Sequence, residues 1–303
     1  MWIPVDKATL ATMYEESSDE KTLCGTTGET AVKTKLYSKS ITIGTDSNKE
    51  TMSRTTPGTS TLGSFREPDL VTSYDVKDTY YKTILGETGT KEQLAQLFAD
   101  EYKAMIESVS KYGGFYIGRY ELSGTVTEPT EKPGKTLTKT DWYNLYNACR
   151  SSKLQASDKV KTQMIWGCQW DTTMNWLISS GAKTSDEVNK NSSTWGNYSN
   201  YNTANNYTEG TAGYEKNAGS PQNTGSSENW KANNIYDLAG NVWEWTQEAG
   251  GTSRRAGRGG CYNLHGSGYP ASNRANNSPV SSDYDITRFS SHFNNKVILD
   301  TRA

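Results

Sequence analysis

The sequence has no long apolar runs. Its hydrophobic stretches last only a few residues, far below the roughly 20 that a membrane-spanning helix needs, so membrane insertion is not expected. The opening "MWIPVDKATL" also lacks the charged start and apolar centre of a signal peptide. Positive charge is not in excess: 32 Lys and Arg face 34 Asp and Glu, a net charge of -2. Without a basic face to neutralise phosphates, nucleic acid is not an expected partner. The four cysteines, Cys24, Cys149, Cys168 and Cys261, form no close CxxC pair, which argues against zinc and demands no disulfide framework. There are two histidines, His265 and His292. Without acidic company at helical or hairpin spacing they make a poor metal site, and no cofactor is expected.

Aromatic side chains are plentiful. Only 33% of the 303 residues are hydrophobic, but nine Trp and nineteen Tyr can pack an aromatic-rich core in a loop-heavy fold. "MWIPV" and "FYIGRYE" (115–121) read as short aromatic, β-branched strands. The stretch from 5 to about 65 is crowded with Thr, Ser, Lys and Glu and reads as a surface insertion with little core of its own. Leu94, Leu97, Phe98, Tyr102, Met105 and Val109 recur at helical spacing behind Thr90 as N-cap and Gln93 three residues on. Two further helices are predicted, over 140–150 and within 163–179. The passage 189–234, rich in Asn, Ser, Gly and Tyr, is predicted to be a long exposed excursion, and its three sequons, at Asn191, Asn197 and Asn206, are what an Asn-rich tract produces by chance. "NIYDLAGNVWEWTQEA" then turns at Ala-Gly-Asn into an alternating strand, with Val242 and Glu244 on one side and Trp243 and Trp245 on the other.

A second absence lies beyond that strand. Lys, Glu, Gln, Met and Trp fill 63 of the 303 positions, yet none occurs in the 47 residues from Ala249 through Asn295, where about ten would be expected. Exposed loops have no physical reason to avoid Lys, Glu and Gln, which surfaces favour. The genetic code supplies one, because replacing the adenines of AAC or AAT codons at random yields NNC and NNT codons, which never encode these five residues.

"NIYDLAGNVWEWT", followed by "RGGCY", Arg274 and Arg288-Phe289, resembles the signature of the formylglycine-generating enzyme family, a compact variant of the C-type lectin fold, and the resemblance extends back to "WIP" and "YIGRYE". It implies an α+β class: one loop-rich C-type lectin domain over 1–303 with short antiparallel strands and about three helices. Residues 5–65 would then be an insertion and 249–295 a variable ligand-binding region. Members that oxidise cysteine bind copper(I) through two thiols after the Arg-Gly-Gly, at positions that fall on Leu264 and Tyr269. Neither carries sulfur. Cys261 stands where the family has Ser, and one thiolate cannot make a two-thiolate copper site. Iron-binding relatives use a set of histidines that two cannot supply, and no Glu-Pro-Asn or Gln-Pro-Asp sugar motif is present. The resemblance leaves room for structural calcium, with no ligands assigned.

With the adenine fingerprint, the chain is similar to the variable proteins of diversity-generating retroelements. That resemblance implies a non-enzymatic binding protein at a virion or cell surface, with a protein or glycan ligand on another cell or virus. The alternative is a formylglycine-generating-enzyme-like oxidoreductase or other sulfur-chemistry enzyme, with Cys261, His265 and His292 as the residues to test. The candidate variable positions are Asn263, Leu264, His265, Gly268, Tyr269, Asn273, Ala275, Asn276, Asn277, Val280, Asp283, Tyr284, Asp285 and Ile286. Tyr269, Tyr284, Leu264 and Ile286 are the expected energetic anchors, in a mixture that resembles antibody paratopes, while Asp283 and Asp285 bias the face toward cationic partners. Trp243, Trp245, Gly259, Gly260, Arg274 and Arg288 are the expected scaffold, with Gly266, Pro270 and Pro279 shaping turns and the arginines pinning carbonyls or carboxylates.

Overall fold

The computed structural model describes residues 1–23, 31–39, 65–155, 160–281, 293–294 and 297–301. In chain order the first half holds β1 (Trp2–Pro4), α1 (Lys7–Met13), β2 (Tyr14–Thr22), β3 (Lys33–Ser38), β4 (Phe65–Arg66), α2 (Asp78–Leu85), α3 (Lys91–Tyr112), β5 (Gly114–Ile117), β6 (Ser123–Gly124), β7 (Pro129–Thr130) and α4 (Trp142–Cys149). The second half holds β8 (Val160–Met164), α5 (Gly167–Ser179), α6 (Ser185–Asn189), α7 (Tyr201–Ala204), β9 (Lys231–Ala232), β10 (Ile235–Tyr236), β11 (Trp243–Gly250), β12 (Arg254–Arg258), β13 (Arg274–Asn277), β14 (Phe293–Asn294) and β15 (Val297–Thr301). The chain mixes helix and sheet, with seven α-helices among the described residues where the sequence predicts about three. The predicted three are α3, α4 and α5. The extra ones run from four to eight residues, too short to show a convincing apolar stripe.

Two sheets organise the molecule. One runs β1-β5-β15-β8, entirely antiparallel. The other runs β13-β12-β11-β14, with β4 also on β11 and the β11–β14 pair parallel. α3 has the capping box read from the sequence: Thr90 Oγ1 accepts from Gln93 N at 3.2 Å and Gln93 Oε1 accepts from Thr90 N at 3.0 Å. Its apolar stripe is buried from Leu94 to Val109, in line with a helix held by packing more than by propensity.

Three features depart from the sequence reading. Val5, Met13, Leu23, Val32 and Leu36 are buried in the two apolar clusters, so the described parts of 5–65 join the core of the whole. The 189–234 passage is not a purely exposed excursion, since Ser192, Trp195, Asn197, Tyr198, Tyr201, Thr224 and Trp230 are buried. Burial of Asn197, whose amide donates to Ser220 O and Asn241 Oδ1, removes one sequon from reach. Finally, β11 is buried on both faces along its whole length, so its alternation does not separate inside from outside.

A candidate ligand-binding face

The Ala-Gly-Asn turn before β11 is built on left-handed residues, Gly240 at φ 71° and Asn241 at φ 56°. It places Asn241 O to accept from Tyr262 N at 2.9 Å. From there the chain crosses the surface through 262–273, returns as β13 beside β12, and reaches Ser281. Arg258 and Arg274 face each other in the register of these two strands.

Beneath them lies a buried ionic layer. Asp171, on α5, accepts from Arg258 Nη2 at 2.8 Å through one oxygen and from Arg274 Nη2 through the other. Glu248, on β11, accepts from Arg274 Nε at 3.1 Å and stands 3.8 Å from Arg258 Nη1. All four side chains are buried. Burial first, and then the neighbouring Arg274, bring the pKa of Arg258 down to about 10. The layer ties helix and sheet together directly under the candidate face. Arg274 pairs with carboxylates of α5 and β11, and the sequence alone names no partner for either arginine.

The segment is held by its main chain. Arg258 donates to Asn273 O at 2.8 Å and Ser272 O at 3.0 Å. The buried Tyr198 hydroxyl lies 2.7 Å from Gly259 O and 2.8 Å from Tyr269 O, and burial raises its pKa well above the ordinary value, keeping it protonated and a donor. Ser199 reaches Leu264 O through both N and Oγ at 3.0 Å. Ser192 N donates to Gly266 O at 3.1 Å, and Ser192 Oγ accepts from Ala271 N at 2.9 Å. Trp170 Nε1 donates to Ala271 O at 3.0 Å, and Trp142 N to Pro279 O at 2.9 Å. Each bond ends on a backbone atom of the segment, and backbone atoms do not change when a side chain does.

The candidate positions sort by environment. Asn263, His265 and Gly268 are exposed; Leu264, Tyr269, Asn273, Asn276, Asn277 and Val280 are half-buried; Ala275 is buried. Tyr269 sets its ring edge-on to Trp243 at 5.8 Å, and Leu264, Tyr269 and Val280 pack against the cluster that contains Trp243, Trp245, Cys261 and Ala275. Two of the expected anchors are thus partly committed to the protein's own core, and Ala275 is a core residue with little freedom to grow. Among the described candidate positions, a side-chain hydrogen bond is seen at Asn263, where Oδ1 accepts from Cys261 Sγ at 3.0 Å. Asp283, Tyr284, Asp285 and Ile286, together with Arg288 and His292, lie outside the described residues.

The glycines divide the same way. A Cβ on Gly260 would sit 2.4 Å from Tyr269 O, at a φ of 79° that disfavours any side chain. On Gly266 it would sit 2.4 Å from Ser193 N. On Gly268, a candidate variable position, the nearest atom would be 3.7 Å away, an ordinary contact.

Cys149, Cys168 and Cys261 are buried, so Cys261 is not a surface nucleophile. Among the described residues no three His, Cys, Asp or Glu side chains lie close enough to share a metal ion, and no helix is long and apolar enough to cross a membrane.

No protein-family model matches the sequence, and no curated protein does. Among solved structures, Treponema denticola variable protein 1 aligns over 94% of this chain and 100% of its own, at 12% identity and a TM-score of 0.30. A likeness of that size says nothing about this chain's fold or ligand.

Proposed function

We propose that the chain is a non-enzymatic ligand-binding protein of the C-type lectin architecture, formylglycine-generating-enzyme type, whose 249–295 segment is diversified by a retroelement to recognise a protein or glycan on another cell or virus. The observation that carries this reading is the division of labour along the segment. Its course is set by bonds to backbone atoms and by glycines with no room for a side chain, while the side chains at the candidate positions carry little of the hydrogen bonding. A surface of that kind can be rewritten without being refolded. The missing Lys, Glu, Gln, Met and Trp add a chemical record of how the rewriting occurs. The enzyme alternative has nothing comparable on its side, since Cys261 is buried and spends its thiol on Asn263.

The test is to sequence the locus across its source population. Differences should concentrate at the fourteen candidate positions, each matching an adenine in a nearby template repeat beside a reverse transcriptase gene. A segment 258–289 as constant as Asn241–Trp245, with no repeat, ends the reading.

A further inference from the structure

Between Gly259 and Ser281 four residues are exposed: Asn263, His265, Ser267 and Gly268. Three of them are candidate variable positions. Ser267 is the fourth, and the sequence sets it between two glycines, where it reads as part of the frame.

Its surroundings are those of a position that can be rewritten. Gly268 N and Tyr269 N both donate to His265 O, at 3.0 and 3.1 Å, closing a turn with Gly266 and Ser267 as its central residues. Gly266 O accepts from Ser192 N at 3.1 Å, which ties the turn to the body one residue before Ser267. The backbone on both sides of Ser267 is therefore fixed by bonds that its side chain does not make. Its φ lies outside the left-handed region, so a larger side chain meets no backbone strain there. The Ser267 hydroxyl has no hydrogen-bond partner among the described residues. Two other serines of the segment differ: Ser272 is buried, and Ser278 Oγ donates to Tyr74 OH at 3.1 Å.

Serine also belongs to the residue types that adenine replacement yields. Its codons AGC and AGT each differ from the asparagine codons AAC and AAT at a single adenine.

The geometry points to Ser267 as a further diversified position of the ligand-binding face, outside the fourteen candidates. The side chain at 267 stands at the exposed end of a clamped turn, between His265 and Gly268, so its size sets how closely a partner can approach those two. In this chain Ser267 and Gly268 are both small, which leaves His265 and Asn263 as the larger exposed groups. The assignment rests on the binding-protein reading above and adds one residue to it.

The test is made on the locus and on the full chain. Codon 267 should end in C or T and stand opposite an AAC or AAT codon of the template repeat. Across the source population it should differ about as often as codons 263 and 265, and never encode Lys, Glu, Gln, Met or Trp. In the purified chain, Ser267→Tyr and Ser267→Asp should each move the thermal unfolding midpoint by less than about 2 °C. A codon ending in A or G, or a position 267 that stays constant while 263 and 265 vary, overturns the assignment and leaves the binding-protein reading intact. So does a midpoint loss in both variants as large as that of Gly266→Ala, which would place Ser267 in the frame. Constancy at 263, 265 and 267 together overturns both.

Discussion

β11 and the segment that follows β12 lie against each other, joined where Tyr269 meets Trp243, yet their side chains are engaged to different degrees. β11 is held by its side chains as well as by its ladders to β12, β14 and β4. Trp243, Trp245 and Ala249 are buried, Gln247 Nε2 donates to Met164 O at 2.9 Å, and Glu248 belongs to the ionic layer. The 262–281 segment is held by its main chain, from Tyr198, Ser192, Ser199, Trp170 and Arg258. Changing a residue in the first removes part of what holds it, while changing an exposed candidate residue in the second, such as His265, leaves those main-chain bonds in place. A fold that must present a rewritable surface benefits from putting the second arrangement directly on top of the first.

The sharpest way to break this contrast is to attack what lies beneath both regions. Asp171→Ala leaves Arg258 and Arg274 buried with Glu248 as their remaining carboxylate, and should cost about 3–5 kcal/mol in chemical denaturation. A loss below about 1 kcal/mol would mean that the ionic layer does not hold β13. Next come the paired glycines. Gly266→Ala drives a methyl into Ser193 N and should cost about 1–3 kcal/mol, against almost nothing for Gly268→Ala. Equal thermal shifts for the two would undo the division into frame and filling. Tyr198→Phe removes the hydroxyl shared by two carbonyls and should cost about 1–3 kcal/mol, with faster amide exchange around 259–269 as its local signature. The smallest effect belongs to the candidate positions themselves. Replacing Asn263, His265 or Asn273 should move stability by no more than about 0.5 kcal/mol while altering ligand capture in a display assay, and a large stability loss there would assign those side chains to the scaffold.

Much of the frame was legible because its signals are local. The α3 stripe and the Thr90–Gln93 box lie within one helix, the Ala-Gly-Asn turn within three residues, and the frame glycines inside their own loop. The ionic layer was not legible. Arg258 and Asp171 are 87 residues apart and Arg274 and Asp171 are 103, and nothing in a single sequence says which of 34 acidic residues meets which arginine. The 189–234 passage misled through its composition. Its Asn and Ser satisfy buried polar groups, as Asn197 and Ser192 do, and its scattered aromatics, Trp195, Tyr198, Tyr201 and Trp230, were the available sign that it is folded against the body. Burial of Ala275 was equally hidden, because β13 buries two consecutive residues, Arg274 and Ala275, and a strand that departs from the period-two alternation does so for tertiary reasons.

The main-chain clamp has a consequence for affinity. A flexible loop that orders only on contact gives up about 1–2 kcal/mol of backbone freedom per residue, which over the nine residues Tyr262–Pro270 is a penalty on the order of 10 kcal/mol. Here that ordering is complete before any partner arrives, and binding need restrict only the side chains that touch it, at about 0.5–1.5 kcal/mol each. Preorganisation of this kind lets unrelated sets of small side chains, none selected in advance for its target, reach useful affinity on the same backbone.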